Sequence, residues 1–460
     1  MQLVLAALAF AALIATPVLA QEAPVVSDEA VAQILADRID RDGQGVGIAA
    51  AVIENGTPRF FNHGTFAKDG DTPVSEATLF EAGSLAKVFT NLLVAQLVLD
   101  GKMVLDAPVT DYLPEGTKIP AFEGKTITLF DLATHSSGLP SVPPELAFAD
   151  PANPYKHYNA ELLYGFLAAY PLPRAPGTEY EYSNIGATLL GEAVSHVSGL
   201  PYGELVQKRI LDPLGMTDTM LVVPDALADR FATGHDTEGQ PVSHWDFEVF
   251  APAGGWRSTA ADLAKFAAAV SDQTETPLKD AVALMLKETR PAGSPNMTIG
   301  LAWIVLDHEG ASIVWHNGMT GGFNAFLGFD PASGRAAVVL ANAATATGIE
   351  DIGFHLIDAT APLAPQPKPR EAITLDPAVL ENYIGTYELG PEFSIAVTAE
   401  GPRLFIQASG QDRLEAFAET ETDFFLRVVD AQISFELGAD GKATDLVLHQ
   451  NGQSTAGSKQ

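Results

Sequence analysis

Phe80-Glu81-Ala82-Gly83-Ser84-Leu85-Ala86-Lys87 stands at the head of an apolar run that continues to about Asp100 and stops at Gly101. Apolar residues fall on most faces of that run. It therefore predicts a helix from Ser84 to about Asp100, buried at a domain centre and ended by Gly101. Residues i and i+3 share a helix face, which sets Lys87 one turn along from Ser84. Serine is a weak nucleophile until a base takes its proton, and a neutral lysine at that spacing is such a base. Lysine ordinarily titrates near about 10.4, so burial or cationic neighbours must lower its pKa. The start of the helix adds a positive end and unpaired N–H groups that can polarise a substrate carbonyl. Ser84 and Lys87 form the only Ser-x-x-Lys in the 460 residues, yet a chain this long carries one by chance about as often as not. The surrounding sequence decides its worth.

Upstream, Val46 to Val52 reads as a nearly continuous apolar strand, Glu54-Asn55-Gly56 as a hairpin turn, and the residues through Phe60 and Phe61 as its partner. Downstream, helical patterns recur at Leu162 to Ala169, Ala187 to Ser198 and Ala261 to Ala269. Thr259 is placed to cap the last of these, with Asp262 as its acidic partner. Strand patterns return between His308 and Ala341, with turns at Glu309-Gly310 and Ala332-Ser333-Gly334. Strands at both ends of a helical middle predict an α+β sandwich whose sheet is assembled from distant segments. Pro362, Pro365, Pro367 and Pro369 mark residues 359–370 as a semi-rigid linker. Beyond it, Phe393 to Val397 and Ile433 to Leu437 alternate, with turns at Glu400-Gly401 and Asp440-Gly441. Short strands at regular spacing predict a small antiparallel sheet or barrel over 371–460.

The formal net charge of -32 argues against nucleic acid or an anionic membrane surface as a partner, since both would repel the chain. With no cysteine there are no disulfides, thiolate metal sites or lipid-modified cysteine. Leu3 to Ala15 is uninterrupted apolar sequence, Pro17 breaks it, and Val18-Leu19-Ala20 precedes polar Gln21-Glu22. That is the pattern of a secretory signal over 1–20, although no Lys or Arg precedes the apolar run. The alternative is an uncleaved anchor, for which Leu3 to Ala20 is just long enough. The expectation is a periplasmic or secreted protein, free of the membrane after cleavage, with its main domain over 21–358.

Two further signals accompany Ser84. Glu181-Tyr182-Ser183-Asn184 precedes a helical segment; its tyrosine can carry a proton to a leaving group, and Asn184 can hydrogen-bond a substrate amide. Val314-Trp315-His316-Asn317-Gly318-Met319-Thr320-Gly321-Gly322 is a glycine-rich strand edge. A substrate backbone can lie against it at Gly318, and a peptide N–H there can complete an oxyanion hole.

Ser84-Leu85-Ala86-Lys87, Tyr182-Ser183-Asn184 and His316-Asn317-Gly318, in that order, resemble the serine penicillin-recognising hydrolases. These comprise class C β-lactamases, D-alanyl-D-alanine carboxypeptidases and their peptidase and esterase relatives. Leu132 to Pro140, Pro213 to Met216 and Gly254 to Thr259 also look like that family, so the similarity runs from about Val46 to about Ala344. The resemblance implies an α/β sandwich with an antiparallel sheet and a serine at the start of a central helix. It implies acylation of Ser84, with Lys87 as base and Tyr182 in proton transfer. It also implies an oxyanion hole from the N–H groups of Ser84 and Met319, substrate contacts from Asn184 and His316, and neither metal nor organic cofactor. The C-terminal segment, entered at Tyr383-Ile384-Gly385-Thr386-Tyr387, resembles a lipocalin-like β-domain appended to some of these hydrolases.

One departure bears on substrate. Class C β-lactamases usually carry Lys-Thr-Gly at the third motif, and this chain carries His316-Asn317-Gly318. A lysine offers a fixed charge to a β-lactam carboxylate, whereas histidine is mostly neutral near pH 7. The expected substrate is a small molecule or peptide cleaved at an amide or ester, as by a D-amino-acid peptidase, carboxypeptidase or esterase. The alternatives are a class C-type β-lactamase and, from another class, a non-catalytic penicillin-sensing or ligand-binding module. The sequence leaves the oligomeric state open. A Gly-x-Ser-x-Gly elbow and a His-Glu-x-x-His helix are both absent from the chain.

Overall fold

A computed structural model describes residues 25–460 apart from 149, 151, 309, 346, 366–371, 391–392, 410–412, 427–430 and 451–452. The expected signal over 1–20 and the end of the expected linker lie outside the described residues. Helix α1 (Asp28–Ala36) precedes the hairpin of β1 (Gly47–Glu54) and β2 (Thr57–Gly64). The helical middle includes α2 (Ala86–Leu99), α3 (Leu129–Ala133), α4 (Ala160–Ala169), α5 (Asn184–Ser198) and α6 (Ala260–Val270), with further short helices between them and after α6 at Lys279–Met285. Strands β3 (Arg290–Ala292), β4 (Ser294–Ile299), β5 (Ile304–His308), β6 (Ala311–Met319), β7 (Asn324–Phe329) and β8 (Ala336–Ala341) follow, and then α7 (Glu350–Ile357).

These strands form one antiparallel sheet in the order β2-β1-β8-β7-β6-β5-β4-β3, so the first hairpin joins strands almost three hundred residues later. β1 is apolar without a break because both of its faces are covered. Ala49, Ala51 and Ile53 enter the large core shared with α2, α5 and α6. Ile48, Ala50 and Val52 enter a second core under α1 and α7. The architecture is thus a sandwich of helices on a central sheet, as the two ends of the sequence implied.

Helix α2 runs through the large core. Every residue from Ala86 to Ala95 is buried, including Lys87 at 0% exposure. The expected helix start at Ser84 needs correction: Gly83–Leu85 form a 3-10 turn, and the α-helix begins at Ala86. The cause is the strand beside it. Gly83 has φ +51°, and a Cβ there would sit 2.7 Å from Met319 N; a Cβ on Gly318 would sit 2.0 Å from Ala82 O. Only two glycines let the turn and the end of β6 lie this close. β6 is interior to the sheet, but β5 starts at Ile304 opposite Trp315. From His316 to Met319, β6 is therefore paired with β7 alone, which leaves an open local edge beside the turn.

Thr259 caps α6 as expected, accepting the Asp262 N–H. The Asp262 carboxylate turns instead to Asp218 N, Thr219 Oγ1 and Lys265 Nζ. At the C-terminus eight antiparallel strands, β9 (Gly385–Gly390) to β16 (Gln453–Lys459), close into a barrel. Its filling alternates along the strands, as in Ile395 and Val397 or Ile433 and Phe435. Tyr383 and Tyr387 are buried against Phe435, and their hydroxyls donate to the carbonyls of Glu421 and Tyr383.

Candidate active site

The three motifs converge although they are about a hundred residues or more apart. Ser84 Oγ lies 2.8 Å from Lys87 Nζ, and the Tyr182 hydroxyl donates to Ser84 Oγ at 2.7 Å. Lys87 Nζ also donates to Asn184 Oδ1 and to the Ala253 carbonyl, each at 2.7 Å. Both of those atoms accept only. A neutral amine with two N–H groups therefore satisfies them and keeps its lone pair for the Ser84 proton. Burial holds the Lys87 pKa well below its ordinary value. It pushes the Tyr182 pKa upward, so the phenol stays protonated at neutral pH.

Local structure explains each placement. Ser183 caps α5 by accepting the Gly186 N–H and donates to the Pro140 carbonyl, which fixes Tyr182 and Asn184 on either side of it. Asn184 was expected to meet substrate through its amide; its Oδ1 is engaged by Lys87, and its Nδ2 makes one long contact, 3.5 Å, to Ser141 Oγ. The Met319 N–H faces away from β7. Thr320 N donates to Phe323 O, which makes that pair hydrogen-bonded and leaves the next pair, Met319 with Asn324, unbonded. Ser84 N lies in the first turn of its 3-10 segment, where no intrahelical acceptor is available. The two N–H groups expected to form an oxyanion hole thus flank the same close approach of backbones. Gly318 is where β6 touches that turn, and its packing against Ala82 is reason enough for glycine.

His316 is fully buried. Its Nδ1 bonds the Asn317 carbonyl at 2.6 Å and its Nε2 has no partner among the described residues. Burial, with the Lys87 charge second, brings its pKa down to about 3. A folded pKa below the unfolded value near about 6.5 means that the unfolded chain binds the extra proton. His316 therefore withdraws stability as pH falls from about 6.5 toward about 3, at ~1.4 kcal/mol per pH unit. Chemical denaturation of His316→Leu at pH 7 and pH 4 should show a smaller acid loss than wild type. Equal losses would mean that the ring is accessible or charged in the fold.

His135 is a member of this cluster that the sequence motifs did not single out. It sits at φ +52° in the turn after α3, with its ring centroid 4.5 Å from that of Tyr182, and its Nδ1 accepts the Ser183 N–H. Burial, then the charges of Lys87 and His316, lower its pKa well below the usual histidine value. Ala253, whose carbonyl holds Lys87, follows Pro252 in a short helix and carries no sequence signal of chemistry. Trp245, Phe247 and Tyr155 were also missed. They wall a narrow cleft beside Ser84 and Asn184 and come from two loops far apart in the chain.

A family model described as Beta-lactamase matches residues 28–370, and one described as a domain of unknown function (DUF3471) matches residues 369–459. A β-lactamase of Pseudomonas fluorescens is 30% identical over 332 residues, 64% of this chain and 88% of that protein. The solved β-lactamase/D-alanine carboxypeptidase of Pseudomonas syringae superposes with a TM-score of 0.59 at 25% identity, over 68% of this chain and 94% of its own. In fold, the likeness extends to the octameric penicillin-binding protein homologue of Pyrococcus abyssi. Its TM-score is 0.64 at 21% identity, over 94% of this chain and 100% of its own. The chain belongs to the β-lactamase family and is a serine hydrolase of that family.

Proposed function

We propose that this is an exported enzyme that cleaves amide or ester bonds of small substrates through an acyl-enzyme on Ser84. The carrying observation is Ser84 Oγ held between a buried amine at 2.8 Å and a half-buried phenol at 2.7 Å. Ser84 Oγ bonds the carbonyl carbon while its proton passes to the neutral Lys87 amine. The carbonyl electron pair moves onto oxygen, toward the N–H groups of Ser84 and Met319. As the tetrahedral species collapses, the bond to the leaving nitrogen or oxygen breaks. Tyr182 hands that atom a proton and is resupplied by the Lys87 ammonium. Water then attacks the acyl ester, gives up a proton along the same path, and Ser84 is restored.

Peptidase or esterase work is favoured over β-lactam turnover because the third motif offers a neutral, enclosed His316 where a fixed cation would hold a carboxylate. The second reading, a class C-type β-lactamase, rests on the Pseudomonas fluorescens relative that bears that name. A turnover panel with a chromogenic cephalosporin, a short-chain nitrophenyl ester and D-amino-acid anilides decides between them. The ester or an anilide should exceed the cephalosporin at least tenfold in kcat/KM. Cephalosporin turnover that matches or exceeds both would reverse the preference.

A further inference from the structure

The cleft beside Ser84 is closed by rings. Tyr155 stacks on Phe247 with centroids 5.1 Å apart and planes at 15°, and it meets Phe250 at 5.0 Å and Trp245 at 5.7 Å. The two loops that carry these rings are latched together. Asn153 Nδ2 donates to Asp246 Oδ2 at 2.9 Å, and Asp246 N donates to Asn153 Oδ1 at 2.8 Å. Trp245 is fixed at both backbone ends, its N–H donating to Glu81 Oε1 at 2.8 Å and its carbonyl accepting from Arg257. Its indole also packs over Gly321, where a Cβ would come within 2.9 Å of Nε1. Arg257 is in turn buried and committed to Glu81 and to the carbonyls of Leu221 and Gly255.

The space so enclosed is about 40 Å3. A cavity of about 150 Å3 accepts benzene, and a single water needs about 10–15 Å3 of space of this kind. Room for an aryl or long alkyl group is therefore lacking, while a group of two or three heavy atoms fits. Its lining holds Ser84, Asn184 and Met319 but not Tyr182, the residue that would serve the leaving group. The cleft therefore lies on the acyl side of the scissile bond. No Lys, Arg or His lines it among the described residues, so nothing there would compensate a buried carboxylate.

We infer that this cleft is a size-limiting acyl pocket that selects short, uncharged acyl groups of about acetyl to propionyl size, with Tyr155 as its roof and the Asn153–Asp246 latch holding the roof down. The inference rests on the acyl-enzyme reading of Ser84 and narrows it to the acyl half of the substrate.

The test is a series of 4-nitrophenyl esters of acetic, butanoic, hexanoic and succinic (mono) acids, run on wild type, Tyr155→Ala, Asn153→Ala and Ser84→Ala. Wild type should lose at least tenfold in kcat/KM from acetate to hexanoate and should turn over the hemisuccinate more slowly than the butanoate. Tyr155→Ala and Asn153→Ala should each raise the hexanoate-to-acetate ratio, Tyr155→Ala by about tenfold. The Asn153 variant removes only a surface latch, so it serves if the Tyr155 variant misfolds. Hexanoate matching acetate in wild type, a ratio unmoved in both variants, preference for the hemisuccinate, or no turnover of any ester would overturn the inference. If Ser84→Ala is inactive and chain length is nonetheless ignored, the pocket assignment alone falls. If Ser84→Ala keeps turnover, the nucleophile assignment falls first and takes this inference with it.

Discussion

Ser84→Ala should lose on the order of 10^4-fold or more in kcat/KM, because residues that act as one nucleophilic unit fail together when the attacking atom is removed. The same protein should no longer gain one covalent mass when treated with a fluorophosphonate. The fold should survive the change. Ser84 contributes two hydrogen bonds at the site, and Lys87 keeps its bonds to Asn184 and Ala253 without it. Far-UV circular dichroism should therefore superpose on wild type. Covalent labelling that persists in a folded Ser84→Ala protein would refute Ser84 as the nucleophile and with it the roles of Lys87 and Tyr182. No other serine in the described residues is held by both a lysine and a tyrosine side chain.

Much of this site was legible before any coordinates. The spacing of Ser84 and Lys87 is a local property of a helix, and the unbroken apolar character of β1 and α2 follows from burial on several faces. Alternation in the C-terminal segment announced strands, since a period of two survives wherever one face is buried. What stayed hidden was contact between distant segments. The 3-10 turn at Ser84 answers to Gly318 and Met319, more than two hundred residues away, and nothing local to Gly83 reports them. His135 lies within the family-like stretch Leu132 to Pro140, but its ring position follows from a left-handed turn and from Ser183 in another segment. Tyr155 and Trp245 are ordinary aromatics in their own loops. They become a pocket wall only where Asn153 meets Asp246. Closure of the C-terminal strands into a barrel likewise depends on the first and last strands pairing, a relation the alternation within each strand does not encode.

Lys87→Met should cost on the order of 10^3-fold in kcat/KM, the usual scale for loss of a positioned general base, and it should also change how stability depends on pH. Methionine keeps an unbranched side chain of similar length in a fully buried slot, so packing on α2 is preserved. It leaves Asn184 Oδ1 and the Ala253 carbonyl without their donor, at about 1–3 kcal/mol for each atom that stays dry. Against that stands the penalty of burying a lysine. Its folded pKa lies well below the unfolded value near about 10.4, so the unfolded chain holds the additional proton between the two. Wild-type stability therefore declines as pH is lowered through that window, and the variant has no such group. Near pH 10 the lost hydrogen bonds dominate and the variant should be the less stable protein. As pH falls toward 7, its Tm should gain steadily on that of wild type, while His135 and His316, lowered in the fold from an ordinary value near about 6.5, add little above pH 7. Parallel Tm curves from pH 10 to pH 7 would mean that Lys87 keeps its proton in the fold. An ammonium there has no lone pair with which to take the proton of Ser84, and the acyl-enzyme route proposed for this site would need another base.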